Sequence, residues 1–292
     1  MDIFLGLLGC IAAVFIGAYL AKKQARTFSG QSNRLDTNHK PGDRELPTVT
    51  HFDYGDMRFL HLGSPAVQGS MKISKPLEIH LEYQQRMMAW LLFADLEKIK
   101  NLHAMQLGLG AASLTKFSNL TLGMQTTAIE LNPKVLETCK LWFNLPDNNN
   151  NLQVILGDAA EAVTRDEWQA KVDVLQVDLY NQDADCPVLD SESFYSECKN
   201  LLTEGGCMTV NIFGRHSNAK ESAQKIARVF SHSAVWVFKP TKAGNSIIVA
   251  LCSPRKLVKS QLTLQAQTIE ARWPLPTHKW LKALTPPLDL GV

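Results

Sequence analysis

The chain has 292 residues, of which 45% are hydrophobic and 20% are charged, and its formal net charge is +2 at pH 7. This length and composition allow one sizeable α/β core with small additions. Lysine and arginine residues are scattered singly, which excludes nucleic acid as an expected partner because nucleic-acid binders show a clustered basic face. The six cysteines form no C-x-x-C pair, so we expect reduced, structural thiols and no metal site.

The first residues predict a transmembrane anchor over 1–21. The run from Ile3 to Leu20 carries no charge, and at about 1.5 Å per helical residue it spans nearly all of the ~30 Å hydrocarbon core. Basic residues follow at Lys22, Lys23 and Arg26, so the positive-inside pattern places the following domain on the cytoplasmic side of the inner membrane. If translation started after this segment, the protein would instead be cytoplasmic.

Two short regions precede the main domain. Residues 22–47 are polar without apolar periodicity, which predicts a flexible linker. Residues 48–76 alternate between apolar and polar side chains with glycine-containing breaks, which predicts a small antiparallel β subdomain. From Glu78 to Lys98 apolar residues recur at helical spacing, so we expect a helix leading into the main sheet.

Residues 77–253 alternate between strand and helix patterns, which predicts an α/β domain with a doubly wound, mostly parallel sheet. The predicted strands are 103–107, 125–130, 152–156, 172–178, 206–213, 234–238 and 246–252. The predicted helices are 112–121, 133–143, 159–169, 191–203 and 218–230. The last two strands are too close for a parallel crossover, so they should form an antiparallel hairpin. Residues 254–292 predict a tail with helices near 262–271 and 280–283.

Four polar or glycine-rich pieces follow predicted parallel strands and should line one edge of the sheet, where open α/β sheets bind ligands. They are the loop containing Gly108 and Gly110, then Glu130, then the Gly157-Asp158 step, then Asp178. The glycines allow close approach of a ligand to the backbone, and Glu130 is placed to accept hydrogen bonds from ribose hydroxyls. The carboxylate of Asp158 suits an adenine amine. Together these features predict a nucleoside site.

Three of the four pieces also have a structural interpretation. The glycines could form only a tight turn, Glu130 could be a solvated acid that caps the next helix, and Asp158 could cap the helix that follows it. A nicotinamide dinucleotide site shares the first two features, but it favours a third glycine where this chain has Ser113. The Gly157-Asp158 step and the terminal hairpin favour the fold of S-adenosylmethionine-dependent transferases, which is methyltransferase-like and Rossmann-like.

Several segments together resemble the spermidine synthase (polyamine aminopropyltransferase) family, and more closely its divergent bacterial spermidine synthase-like branch. The resemblance covers about Val49 to Leu251 and includes the small β subdomain. The segments that carry it are Gln68-Gly69-Ser70-Met71, Leu81 to Phe93, Leu107 to Phe117, Ile129 to Pro133, Gly157-Asp158-Ala159 and Val177-Asp178-Leu179-Tyr180-Asn181.

The resemblance implies a co-substrate, an amine acceptor and a role for individual residues. The co-substrate would be decarboxylated S-adenosylmethionine or S-adenosylmethionine itself, and Asp178 would act as the catalytic base that takes a proton from the attacking amine. The residues implied to bind the co-substrate are Gly108, Gly110, Glu130, Asp158, Ala159 and Gln68. The residues implied to bind the amine are Tyr83, Tyr180, Asn181 and Asp183. The oligomeric state stays open, with a homodimer as one assembly to test.

Three positions depart from the family pattern. Ala111 stands where the family has an aspartate that pairs with the aminopropyl ammonium, Asn181 replaces a second aspartate, and Gln84 replaces a histidine. Acidity remains nearby, since the stretch 172–198 has seven acidic residues and no Lys, Arg or His. This stretch could attract a cationic amine, or it could be a solvated loop with an acidic helix start.

Three functional hypotheses therefore remain from the sequence. The first is an aminopropyltransferase acting on putrescine or a related amine. The second is a methyltransferase that uses intact S-adenosylmethionine, which the neutral Ala111 favours because a carboxylate there would repel the carboxylate of this cofactor. The third is a catalytically silent, membrane-tethered binding or scaffolding protein, which the loss of charge at both Ala111 and Asn181 favours.

Overall fold

A computed structural model describes residues 46–179, 188–213, 218–255, 257–285 and 287. The predicted anchor at 1–21 and nearly all of the predicted linker lie outside these ranges, so both stay predictions. In the described part of the chain, no helix combines the length and apolar character needed to cross a membrane. Cys139, Cys198, Cys207 and Cys252 carry free thiols.

A three-stranded antiparallel sheet forms the first subdomain, as the alternation predicts. Its strands are β1 (Val49–Tyr54), β2 (Met57–Leu62) and β3 (Val67–Lys72). The β1–β2 hairpin turns at Gly55, whose φ of 56° lies in the left-handed region that glycine adopts easily. The side chain of Asp56 in this turn accepts hydrogen bonds from the backbone and hydroxyl of Ser74, which ties the hairpin to the end of β3.

The predicted continuous helix from Glu78 to Lys98 is wrong in extent. A short helix, α1 (Glu82–Met87), gives way to a tighter 3₁₀ segment at Met88–Phe93 and another at Ile99–Asn101. All six residues of Met88–Phe93 are buried. A surface helix buries one apolar stripe and exposes its other side. This segment is enclosed on all sides, so it does not need that helical pattern.

The main sheet has eight strands in the order β11-β9-β10-β8-β7-β4-β5-β6. The five neighbouring strands β8, β7, β4, β5 and β6 pair in parallel, whereas β10 pairs antiparallel with both β8 and β9. The predicted antiparallel hairpin of β9 and β10 is thus confirmed, and β10 lies between β9 and β8 in the sheet. The bounds are β4 His103–Leu107, β5 Gln125–Glu130, β6 Leu152–Leu156, β7 Val172–Val177, β8 Leu202–Ile212, β9 Val235–Phe238, β10 Ser246–Leu251 and β11 Leu284–Thr285.

Helices cover both faces of this sheet. Their bounds are α2 Ser113–Lys116, α3 Pro133–Trp142, α4 Ala159–Ala162, α5 Glu192–Leu201, α6 Ala219–Phe230, α7 Lys259–Arg272 and α8 Thr277–Ala283. A π-helical turn at Phe117–Thr121 continues α2. The predicted helix 159–169 is too long, because α4 ends after one turn and a separate 3₁₀ turn follows at Asp166–Trp168.

The C-terminal residues are part of the core rather than a separate tail. Leu262, Ile269 and Trp280 pack in one buried cluster with Trp90 and Phe93 from the 3₁₀ segment. The short strand β11 adds to β9. Residues 257–285 therefore cover one face of the sheet and extend its edge, which the sequence did not predict.

A fully buried lysine joins the small sheet to the main domain. The ammonium of Lys116 donates to the carbonyl of Phe143 (2.6 Å), the carbonyl of Pro76 (2.9 Å) and the Sδ atom of Met71 (3.2 Å). Burial lowers the pKa of Lys116 to about 8. Because all three of these acceptors are neutral, hydrogen bonds alone offset the desolvation of this cation.

Candidate active site

The glycine loop follows β4 and packs directly against the end of β7. Gly108 has a φ of 91° and Gly110 a φ of 50°, both in the left-handed region. A Cβ atom at Gly108 would lie only 2.4 Å from the carbonyl oxygen of Asp178. The first glycine is therefore required by the protein's own backbone, quite apart from any ligand.

Glu130 is a buried acid that holds this loop. One carboxylate oxygen accepts from the amide of Leu109 (2.9 Å) and the other from the amide of Asn132 (2.8 Å). Burial raises the pKa of Glu130, and these backbone hydrogen bonds act in the opposite direction. The alternative of a solvated capping acid is wrong, because Asn132 itself caps α3 by accepting from Lys134. The amide of Leu131 also bonds to this carboxylate, and the acceptor capacity that remains can take a hydroxyl group.

Asp158 caps α4, which confirms its structural interpretation. Its Oδ1 atom accepts from the amide of Ala160 at 2.8 Å. The second carboxylate oxygen has no hydrogen-bond partner within the described ranges and can accept from a ligand. Ala159 follows it and is buried. Both proposed roles of Asp158 are thus compatible in one conformation.

Gln68 has an unsatisfied amide at the end of the small sheet. Its side chain is only 3% exposed, and neither its Oε1 nor its Nε2 atom has a hydrogen-bond partner among the described residues. A buried amide without partners costs about 1–3 kcal/mol. This orphaned group fits a polar ligand that binds between the small sheet and the glycine loop.

Ala111 does not face an open pocket. It is fully buried, and a Cβ atom added to Gly69 would lie 2.5 Å from the Cβ of Ala111. Leu60 and Met71 belong to the same apolar cluster. Position 111 therefore supplies packing between the loop and the small sheet rather than a charge.

The Asp178 carboxylate lies among polar side chains beyond the end of β7. Its Oδ1 atom accepts from the side-chain amide of Asn211 at 2.9 Å, and the hydroxyl of Tyr83 also bonds to it. Gln84 donates to that hydroxyl at 3.2 Å, and the hydroxyl also lies 3.5 Å from the backbone carbonyl of Gln68, so this carbonyl and Asp178 share its one proton. Burial raises the pKa of Asp178 from 3.8 to about 6, although both hydrogen bonds favour the ionised form. The structure thus brings Asp178 and Tyr83 together.

Asn211 is a site residue that sequence reasoning missed. It lies in β8 within the apolar run from Met208 to Ile212 and is fully buried. The signal was available, because a lone amide inside a buried strand needs a hydrogen-bond partner. A second asparagine, Asn245, donates to Asn211 at 3.1 Å.

Part of the predicted amine site cannot be placed. Tyr180, Asn181 and Asp183 lie outside the described residues, so their roles stay predictions. Three acids of the same acidic stretch have structural partners: Asp173 accepts from His103 and Thr203, Asp190 from Tyr195, Ser222 and Lys225, and Glu192 from Arg228. These three acids support the structural interpretation of the stretch.

The sequence of this chain matches a known protein family. A family model described as the spermine/spermidine synthase domain matches residues 108–261, more than half of the chain. The chain belongs to the spermine/spermidine synthase family. A polyamine aminopropyltransferase from Neisseria meningitidis, a transferase by name, is 27% identical over 246 residues, which cover 84% of this chain and 92% of that relative. The resemblance stated from the sequence is confirmed.

Solved structures agree with the family in fold. A probable spermidine synthase from Corynebacterium glutamicum superposes with a TM-score of 0.63 at 20% identity, covering 80% of this chain and 87% of that one. Human methyltransferase-like protein 13 in complex with SAH gives a TM-score of 0.57 at 22% identity, covering 73% of this chain and 98% of that one. The predicted methyltransferase-like, Rossmann-like α/β fold is therefore confirmed for this member of the spermine/spermidine synthase family.

The raised pKa of Asp178 predicts how stability responds to pH. A raised folded-state pKa stabilises the protein at low pH, and this contribution is lost as the pH rises from about 4 through about 6. The loss should amount to about 1–3 kcal/mol at pH 7.5, and the neutral Asp178→Asn variant should not show it. Urea unfolding at pH 4 and pH 7.5 measures this difference, with Asp166→Asn as an exposed-acid control. A stability difference between wild type and Asp178→Asn that is the same at both pH values would contradict the assignment.

Proposed function

We propose that this protein is an aminopropyltransferase that moves the aminopropyl group of decarboxylated S-adenosylmethionine to a primary amine such as putrescine. The observation that carries the proposal is the Asp178 carboxylate, held by Tyr83 and Asn211 directly beside the glycine loop. With a pKa of about 6, this group is mostly ionised at neutral pH and can still accept a proton, as a general base must.

The reaction needs little beyond positioning and one proton transfer. The ammonium of the bound amine substrate gives a proton to Asp178, and the neutral nitrogen attacks the aminopropyl carbon that is bonded to the sulfonium. The new C–N bond forms as the C–S bond breaks, and the bonding electron pair returns to sulfur. The products are methylthioadenosine and a secondary ammonium, and Asp178 releases its proton to solvent. Because the sulfonium is already a good leaving group, alignment of nitrogen, carbon and sulfur carries much of the rate.

The residues around the loop fit the nucleoside part of this co-substrate. The acceptor capacity that remains on Glu130 suits a ribose hydroxyl, and the second oxygen of Asp158 suits the adenine amine. The orphaned amide of Gln68 suits a polar group at the same edge. All three are neutral or anionic, which favours a co-substrate that carries positive charge.

Ala111 favours methyl transfer as a second candidate function. In the family pattern an aspartate at this position pairs with the aminopropyl ammonium, and a neutral residue there forgoes about 1.5–3 kcal/mol of that interaction. It also removes a repulsive partner for the carboxylate of intact S-adenosylmethionine. Because Ala111 is fully buried against Gly69, a substitution to aspartate would disturb packing and is a poor test of this point.

Calorimetric titration of the full-length protein with three ligands tests the proposal: decarboxylated S-adenosylmethionine, the intact form and methylthioadenosine. We expect the decarboxylated form to bind about tenfold more tightly than the intact form, because the extra carboxylate would approach Asp178. Asp178→Asn should reduce this preference, since it removes the repelling charge. Tighter binding of the intact form favours methyl transfer, and binding of none of them leaves a catalytically silent protein.

Turnover with putrescine tests the role of Asp178 itself. Asp178→Asn should abolish detectable amine-dependent release of methylthioadenosine and leave the affinity for methylthioadenosine within about tenfold, because the proton acceptor is lost while the nucleoside contacts remain. In the wild type, turnover should rise with pH through about 6, where Asp178 ionises. Undiminished turnover in the variant would remove Asp178 from this role.

Asp158→Asn separates helix capping from adenine recognition. The variant keeps an oxygen for the amide of Ala160, so thermal stability should stay unchanged. Its amide nitrogen would then face the exocyclic amine, and methylthioadenosine should bind about tenfold more weakly. Methylthioinosine, which has an oxygen in place of that amine, should bind the variant at least as well as it binds the wild type. Equal weakening of both ligands would contradict direct recognition of the amine.

A further inference from the structure

A chain of polar side chains leads from Asp178 to the loop between β9 and β10. Asn211 donates to Asp178 at 2.9 Å, and Asn245 donates to Asn211 at 3.1 Å. The hydroxyl of Thr241 lies 3.5 Å from Oδ1 of Asn245 and accepts from the amide of Asn245 at 3.0 Å. Asn211, Asn245 and Thr241 are respectively 0%, 4% and 7% exposed, so their bonds form with little competition from water.

The side-chain amides are arranged in one direction from the loop inward. The backbone amide of Asn245 donates to the Thr241 hydroxyl at 3.0 Å, and Oδ1 of Asn245 lies on the side of this hydroxyl, 3.5 Å from it. The amide nitrogen of Asn245 then faces Oδ1 of Asn211, and the amide nitrogen of Asn211 faces Asp178. A side-chain amide can present either nitrogen or oxygen by turning over, and its neighbours decide which. Here Asn245 donates to the Asn211 oxygen, which selects the Asn211 nitrogen for Asp178.

We propose that Asn245 is a positioning residue for Asp178, because it holds the Asn211 amide in the one orientation that donates to the carboxylate. This inference rests on the proposed role of Asp178 as the proton acceptor. Asn245 itself is anchored by the loop, since the amide of Thr241 donates to the carbonyl of Asn245 at 2.8 Å. The loop between β9 and β10 thus fixes the polarity of a group in β8.

No charged side chain in the described ranges substitutes for this donor. Tyr83 faces Asp178 from α1, Asn211 faces it from β8, and Gly108 faces it from the loop after β4. Apart from burial, the groups that shift the pKa of Asp178 are Asn211 and Tyr83, and both favour ionisation. If Asn211 turned its oxygen towards Asp178, the carboxyl group would have to be protonated to keep a hydrogen bond.

Asn245→Leu tests the proposal, because leucine keeps the shape of asparagine and removes its donor. We expect the ionisation of Asp178 to move up by about one pH unit, so that putrescine-dependent turnover relative to wild type falls about tenfold at pH 5 and stays within about twofold at pH 8.5. The matched control is Asn119→Leu. Asn119 is also buried and donates to the carbonyls of Met124 and Asn151, and its loss should lower stability without changing the shape of the pH profile.

A second readout does not depend on turnover. Urea unfolding is measured against pH for wild type and Asn245→Leu, each with and without the Asp178→Asn substitution. The difference that Asp178→Asn makes in each background reports the ionisation of Asp178 directly. If Asn245→Leu does not fold, Asn245→Ala is the alternative, since alanine also cannot donate to Asn211 and adds no charge near Asp178. A shift in the unfolding data of a protein without aminopropyl turnover would support the positioning role and reject the proposed function. Normal turnover with a shift below about 0.3 pH unit would overturn the inference.

Discussion

The carbonyl oxygen of Asp178 lies so close to Gly108 that no side chain fits between them. This contact sets the distance between the loop that suits a nucleoside and the carboxylate that suits an amine. Glu130 holds the same loop from the other side through the amide of Leu109. The glycine loop is therefore fixed by protein groups at both ends, and the two parts of the site are arranged before any ligand arrives, as positioning catalysis requires.

Both acids of the site are stabilised by hydrogen bonds rather than by paired cations. Glu130 uses three backbone amides, and Asp178 uses the side chains of Asn211 and Tyr83. A cation beside Asp178 would lower its pKa and weaken it as a base, and it would also repel a cationic amine. Neutral donors avoid both effects, at some cost in stability. Such a cost is typical of functional rather than structural acids.

Much of the fold and about half of the site could be predicted from the sequence, because strand periodicity, spacing and local chemistry are properties of short segments. The strands from β4 to β7 and the antiparallel hairpin followed from such patterns. The break in the predicted helix 78–98 did not, because it depends on enclosure of Met88–Phe93 by the sheet and by the C-terminal helices. Asn245 was missed for a related reason. Its importance comes from Asn211, which is distant in the sequence and adjacent only in the folded sheet.

The buried ammonium of Lys116 makes the boundary near residue 76 a poor place to divide the protein. Its acceptors come from β3, from Pro76 and from the residue after α3, so they belong to both predicted domains. A fragment starting at residue 77 would retain the lysine and lose two of these three acceptors, leaving a poorly solvated cation in the core. The small sheet thus completes the core of the larger domain. Exchange of this sheet for another module would also require replacement of Lys116.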